Sequence, residues 1–239
     1  MDERSYGPGA EHVPPTGTRE DVVSARYVQL LTTEHWGLLA TRSMSWNESF
    51  ARTSMFLGSL SMATVALALV GSATGFGTEF IAFAIVVLSI TLFLGIATFV
   101  RLIQVNDEDL YWVAGMNRLR GVYARLEPGI EQEFVTGTTL DVPGFALTYG
   151  AQQVTRWAPL HFFVTTPGVV GTICSVIAGV VAGLATLQVA PTMGSAVGGG
   201  AVVAIVSALL LVAYGRRETT RYIDRMIRFR GDPEAPPGA

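Results

Sequence analysis

Residues 80–103, FIAFAIVVLSITLFLGIATFVRLI, are almost entirely apolar, and this segment decides the fold. A helix needs roughly 20 mostly apolar residues to cross the hydrocarbon core of a bilayer. Three further stretches meet that requirement, at about residues 54–71, 162–190 and 196–214. The sequence therefore predicts an all-α, polytopic membrane protein with four transmembrane helices.

Two short segments connect these spans in pairs. Spans one and two are joined by residues 72–79, SATGFGTE, and spans three and four by residues 191–197, PTMGSAV. Because a short connection leaves the chain no room to cross the bilayer again, each pair is expected to form an antiparallel hairpin. A long central loop separates the two hairpins.

The distribution of arginine predicts the orientation. All 16 basic residues are Arg, and neither short connection contains one. Arginines flank the spans at the opposite ends, namely at Arg52, Arg101, Arg156, Arg216 and Arg217. Aromatic residues typical of a membrane interface accompany them, namely Trp46, Phe50, Trp157 and Tyr214. The positive-inside rule then places both termini and the central loop in the cytoplasm, with the spans in the plasma membrane.

The composition narrows the classes of partner. Only 15% of the residues are charged, whereas soluble domains average about 25%. The net charge of −3 is too small to indicate a nucleic-acid-binding protein. The expected partners are therefore membrane lipids and no nucleic acid.

The chain divides into six parts. In order they are a disordered tail (1–17), an amphipathic cytoplasmic helix (18–44), the first hairpin (45–103), a cytoplasmic helix and loop (104–160), the second hairpin (161–214) and a basic tail (215–239). Ser45 and Glu48 have the spacing of a capping box, which predicts a new helix start before span one. An apolar stripe continues span two as a helix until Glu127-Pro128-Gly129 ends it.

Small residues recur along the second hairpin. Four lie in one row of span three, at Gly171, Ser175, Gly179 and Gly183, and span four opens with Gly194 and Gly198. Such rows let helices approach closely in lipid. Two interpretations stand: spans three and four pack on each other, or one of these faces builds a homo-oligomer.

Two features bear on transport. Pro167 lies about one turn inside span three and predicts a bend or a broken first turn. Broken helices line the sites of many transporters, but no charged residue accompanies this one at the middle of the membrane. The pattern favours a bent helix and argues against a coupled transporter.

The sequence contains no recognisable catalytic, cofactor-binding or metal site, so the chain is not expected to be an enzyme. Motifs for nucleophilic, metal or phosphate chemistry are absent, and His12, His35 and His161 lie far apart. The acidic run 106–109, NDED, is interpreted as a solvated collar, because consecutive helical positions diverge and do not converge on one ion. Cys174 is expected to be a buried apolar residue.

The basic tail allows two interpretations. Four arginines can hold anionic lipid headgroups at about 1 kcal/mol each, namely Arg216, Arg217, Arg221 and Arg225. Alternatively, they only anchor the last span.

Two stretches carry a family resemblance. Residues 35–69, beginning HWGLLATRSMSWNESF, and residues 93–129, including RLIQVNDEDLYWVAGMNRLRGVYARLEPG, resemble uncharacterised multi-pass membrane proteins of actinomycetes. The first hairpin with its flanking helices is also similar to SLATT-type two-span effectors of bacterial conflict systems, and this chain adds a second hairpin to that plan. The first resemblance implies no catalytic residues, and the second implies a membrane-perturbing or pore-forming module.

The sequence therefore predicts a non-enzymatic membrane protein that acts through helix packing, as a scaffold or an assembly subunit. The alternative is an oligomeric ion channel or pore-forming effector. A membrane-bound enzyme is the third and least supported class.

Overall fold

A computed structural model of the chain describes residues 19–150 and 164–230, with side chains from residue 24 to residue 221 except Val142. The described part is helical and contains no strand. Four of its helices are long and apolar enough to span a membrane, which confirms the all-α class and the four apolar segments. The predictions for tail 1–17, for Arg156, Trp157 and His161, and for the last nine residues lie outside the described residues.

Within residues 19–150 and 164–230, the structure delimits five α-helices and one short 3₁₀-helix. In chain order they are α1 (Arg19–Thr74), α2 (Thr78–Leu126), the 3₁₀-helix (Ile130–Glu133), α3 (Val142–Thr148), α4 (Thr166–Val189) and α5 (Met193–Arg230). Helix α1 packs on α2, and α4 packs on α5. Helix α2 also packs on α4 and thereby joins the two pairs.

Helix α1 is continuous over 56 residues, so the predicted second helix start at Ser45 is wrong. Ser45 does not cap an end. Its hydroxyl donates to the carbonyl of Thr41, one turn earlier in the same helix, at 3.2 Å. Glu48 contacts arginines instead of closing a capping box. The Ser-x-x-Glu spacing also occurs inside helices, where i and i+3 share a face, and here nothing in the sequence interrupts the helix.

The turn between α1 and α2 depends on two residues with positive φ. Gly75 has φ +65° and Phe76 has φ +61°, a conformation that glycine adopts without strain and other residues adopt rarely. The backbone N–H of Phe76 donates to the carbonyl of Gly71 at 3.2 Å and closes the turn. Gly71 also leaves room for the Phe76 ring, which a β-carbon there would strike.

Pro167 lies in the first turn of α4. The chain is helical at Val164 and bends at Thr165 before α4 begins, in agreement with the predicted bend or broken turn. The helix begins at Thr166, and the hydroxyl of Thr165 accepts a hydrogen bond from the backbone N–H of Gly168 at 3.2 Å. Proline is well tolerated in a first turn, because the N–H that it lacks has no partner inside the helix.

The core lies where α1, α2 and α4 meet. Phe56, Phe99, Val170 and Cys174 are each at most 2% exposed. Gly95 permits this contact, because a β-carbon there would collide with Cys174 Sγ and the Phe56 ring. The core therefore joins the two helix pairs near one end of their apolar segments.

Candidate functional site

The most elaborate polar arrangement in the described chain is centred on Asp109 of α2, which is 5% exposed. Arg42 of α1 donates to it twice, from Nε to Oδ1 at 2.6 Å and from Nη2 to Oδ2 at 3.2 Å. Trp46 Nε1 donates to Oδ1 at 3.3 Å, and the hydroxyl of Tyr149 donates to Oδ2 at 2.8 Å. We call these four residues the Asp109 cluster.

The Asp109 cluster ties three separate parts of the chain to one carboxylate. Arg42 and Trp46 come from α1, one turn apart, and Tyr149 directly follows α3. A buried carboxylate is costly unless it is paired and hydrogen-bonded. Both oxygens of Asp109 accept two hydrogen bonds each, so the arrangement meets that requirement and leaves little capacity for a ligand.

A second group, the Arg101 cluster, lies nearer the apolar segments. Arg101 of α2 donates from Nε and Nη2 to the two oxygens of Glu48 of α1, both at 2.9 Å. Its Nη1 donates to Glu108 at 2.8 Å, two turns further along α2. Arg52 adds a bond to Glu48 at 2.7 Å. The bidentate pair helps to set the register of α1 against α2, since two parallel hydrogen bonds constrain the relative orientation of guanidinium and carboxylate.

The electrostatics of the Arg101 cluster favour the ionised form of Glu48, which precedes the apolar segment that begins at residue 54. Hydrogen bonds from Arg101 and then from Arg52 lower the pKa of Glu48 from 4.5 to about 2. Hydrogen bonds to the charged form of an acid stabilise that form. Glu48 is therefore an anionic anchor rather than a proton donor near neutral pH.

The third group, the Asn117 cluster, holds the central loop on α2. Asn117 is fully buried. Its amide nitrogen donates to the carbonyls of Thr139 and Gly144 at 3.1 and 3.4 Å. Its amide oxygen accepts from the hydroxyl of Thr148 and from Arg120 Nη1, both at 3.0 Å. All hydrogen-bonding positions of the amide are thereby used, as a buried polar group requires.

Glycine lets the same loop approach α2 and fold on itself. A β-carbon on Gly121 would lie 2.8 Å from the carbonyl oxygen of Thr138, and one on Gly137 would collide with the backbone of Gly144. Asp141 caps the start of helix α3, where its carboxylate accepts from the backbone N–H of Gly144 at 2.9 Å. The loop predicted for this region is thus docked on α2 over residues 137–149.

The solvated acidic collar predicted at residues 106–109 is wrong for two of its members. Asp107 and Asp109 are 7% and 5% exposed. Residues 102, 105, 109, 113 and 116 form the buried stripe of α2, so Asp109 occupies a position where an apolar residue would be expected. A carboxylate on this apolar stripe is the sequence signal for a buried ion pair. The sequence does not identify its partner, because Arg42 lies 67 residues away from Asp109.

The small residues of α4 pack against other helices, whereas the two glycines at the start of α5 do not. A β-carbon on Gly179 would lie 2.7 Å from the carbonyl oxygen of Gly200 in α5, and one on Gly183 would lie 3.1 Å from that of Ala196. Gly171 faces Phe99 of α2, and Ser175 donates to the carbonyl of Gly171. By contrast, a β-carbon on Gly194 or Gly198 would meet nothing within 4 Å. One row thus packs inside the chain, and the other is open.

The remaining predicted site residues do not converge. Arg216 and Arg217 are exposed on α5, Arg221 lies 3.7 Å from Glu218, and the side chain of Arg225 lies outside the described residues. His35 stacks on Tyr123 with ring centroids 6.0 Å apart. Among the described residues, no group of three or more His, Cys, Asp or Glu side chains is placed to hold a metal ion.

No family model matches the chain, and no curated protein or solved structure matches it either. The two family resemblances therefore stay predictions. The structure thus has two notable features. Ion pairs and hydrogen bonds hold helices α1 and α2 and the central loop in place. Separately, α5 carries an open row of glycines.

Proposed function

We propose that the chain is a non-enzymatic, multi-pass membrane protein that works as a scaffold or assembly subunit through helix packing. The main support for the proposal is that the buried polar side chains of the clusters are occupied by hydrogen bonds within the chain. Partners from the chain itself use all hydrogen-bonding positions of the Asp109 carboxylate and the Asn117 amide. Two arginines hold Glu48. Groups committed in this way position helices, and a substrate would have to displace them at a cost.

The proposal includes two antiparallel hairpins with their charged ends in the cytoplasm. Contacts between α1 and α2 run in opposite directions along the two helices, from Phe76 beside Gly71 through Arg101 with Glu48 to Asp109 with Arg42. At 1.5 Å per residue α1 and α2 are about 84 and 74 Å long, well beyond the roughly 30 Å of a bilayer core. Their charged halves then extend into the aqueous phase on the side that is richer in arginine.

The surface offered for assembly is the open face of α5. Only 6% of the most apolar window of α5 is buried against the rest of the chain, compared with 39% for α4. Gly194 and Gly198 lie on that surface one turn apart, and exposed Ala201 continues the row. Close approach of a second helix at such a row is the usual basis of association in lipid. We therefore place the contact between copies of the chain on α5.

Oligomeric state in lipid nanodiscs tests the proposal. The wild-type chain is expected to form a defined oligomer, and Gly198→Leu is expected to shift it to the monomer without loss of helix. Gly58→Leu is the matched control, because Gly58 is equally open but lies on α1. A wild-type protein that stays monomeric at all protein-to-lipid ratios would contradict assembly through α5.

Ion flux separates the scaffold from the alternative, a channel or pore. The same open face of α5 favours this second candidate, because a ring of subunits needs such a contact. A scaffold leaves vesicles tight at every protein density, whereas a pore gives flux that Gly198→Leu abolishes together with assembly. Apart from Arg101 near the end of the second segment, the apolar segments carry no charge to line a conduit, which is why the scaffold is preferred.

A further inference from the structure

Arg120 differs from the other arginines of the polar clusters. Arg42, Arg52 and Arg101 each pair with a carboxylate within 3 Å. Arg120 is half-buried, and within the described part of the chain its hydrogen-bond partner is the amide oxygen of Asn117 at 3.0 Å. An amide carries no net charge, so no ion pair among the described residues compensates the charge of Arg120.

Arg120 lies in a seam that is partly desolvated. Along the seam between α1 and α2 it lies between the ion pair of Arg42 with Asp109 and the stack of His35 on Tyr123. Burial, and then the charge of Arg42, lower the pKa of Arg120. Burial, and then the charge of Arg120, lower the pKa of His35. These shifts agree with a partly desolvated seam in which the charge of Arg120 acts on its neighbours.

The guanidinium of Arg120 has hydrogen-bonding capacity to spare. An arginine carries five N–H donors, and a single described bond, to Asn117, uses one of them. Arg42 uses its Nε and Nη2 on Asp109, which leaves its Nη1 for another acceptor. Oxyanions such as phosphate and carboxylate bind arginine through two parallel hydrogen bonds. Such an ion would satisfy both the unused donors and the uncompensated charge.

We propose that Arg120, with Arg42 and His35 beside it, forms a binding site for a soluble oxyanion of the phosphate class. A lipid headgroup is the other common source of phosphate. Arg120 lies 19 positions beyond Arg101 on the same helix, which is about 28 Å at 1.5 Å per residue. With Arg101 at the membrane edge, as in the four-span arrangement proposed above, headgroups lie too far away.

The test uses the full chain in nanodiscs of zwitterionic lipid. Inorganic phosphate is titrated against chloride at equal ionic strength, and the melting temperature is recorded. A ligand that binds the folded state raises that temperature until the site is saturated. We expect a saturable rise for the wild type, and binding about tenfold weaker or more for Arg120→Gln, which loses a charged hydrogen-bonding group. Arg118→Gln, exposed on the same helix, is expected to bind like the wild type.

Arg120→Lys guards against a folding defect in the glutamine variant. Lysine keeps the charge and a donor for Asn117 but cannot bind two oxygens in parallel, so phosphate binding should weaken while the protein stays folded. No saturable effect in the wild type, or equal binding by the Arg120 variants, would overturn the proposal. So would nanodiscs of anionic lipid that give the full stabilisation without phosphate. None of these outcomes bears on oligomer formation through α5, so the two proposals fail separately.

Discussion

The two helix pairs are stabilised in different ways. Helices α1 and α2 meet through large side chains and, beyond the apolar segment, through the Arg101 and Asp109 clusters. Helices α4 and α5 meet at the backbone of Gly179 and Gly200, where a β-carbon on either glycine would lie 2.7 Å from a carbonyl oxygen of the other. The first pair should therefore respond to loss of charge, and the second to added volume.

The largest effect is expected from Gly179→Leu. The side chain would have to displace the backbone of Gly200, which cannot move away without separating α4 from α5. Overpacking costs typically 1–3 kcal/mol, and a rigid neighbour raises that, so we expect a loss of more than about 3 kcal/mol. Unfolding by a graded denaturing detergent measures it. Gly58→Leu, at an open position of α1, is the control, and an equal loss there would show that close packing at Gly179 does not set the cost.

Asp109→Ala should come next, with a loss of about 3 kcal/mol. The substitution leaves Arg42, Trp46 and Tyr149 without their shared acceptor, and removing one partner of a buried pair costs 3–5 kcal/mol. The lower figure applies because the Arg42 side chain is 25% exposed. The exposed neighbour Asn106→Ala should be nearly neutral. A neutral Asp109→Ala would show that the cluster does not stabilise the first pair.

Acid should loosen the first pair and leave the second unaffected. The pKa of Glu48 is lowered to about 2 in the folded protein, by Arg101 and then by Arg52, from an ordinary value of 4.5. Its contribution is therefore present above pH 4.5 and is lost as the pH falls towards 2. Hydrogen exchange of α1 near Glu48 should rise over that window, and Glu48→Gln should flatten the dependence. A rise of equal size in α4 would contradict the assignment.

The smallest effect is expected from Arg52→Ala. Its pair with Glu48 spans one turn of α1, and the Arg52 side chain is 48% exposed. Exposed pairs of this spacing contribute about 0.3–0.5 kcal/mol. Arg101→Ala, in the same cluster, removes bonds to both Glu48 and Glu108 and should cost more. If the two variants lose equal stability, the bidentate pair does not fix the register.

The sequence alone was sufficient to predict features that depend on the composition of a whole segment. The four apolar segments and the all-α class follow from runs of residues such as 80–100, which contain no charge. The close packing of Gly179 was one of two interpretations that the spacing allowed, and spacing alone says nothing about which helix fills the groove.

Local patterns failed where a distant partner decides the role of a residue. Ser45 and Glu48 matched a helix start, yet Glu48 binds Arg101, 53 residues away. Asp109 was expected to face solvent, yet it accepts hydrogen bonds from residues 40 to 67 positions away. Tertiary contacts of this kind leave at most a trace in the sequence, here a carboxylate on an otherwise apolar stripe.

Cross-linking between copies at Gly198 tests the central claim most directly, namely that the open row on α5 is the surface for assembly. Gly198→Cys, in a Cys174→Ala background, is oxidised in native membranes and analysed for covalent dimer. The account predicts dimer at this position and none for Gly58→Cys in the same background. Equal cross-linking at both positions, or none at Gly198, would contradict it.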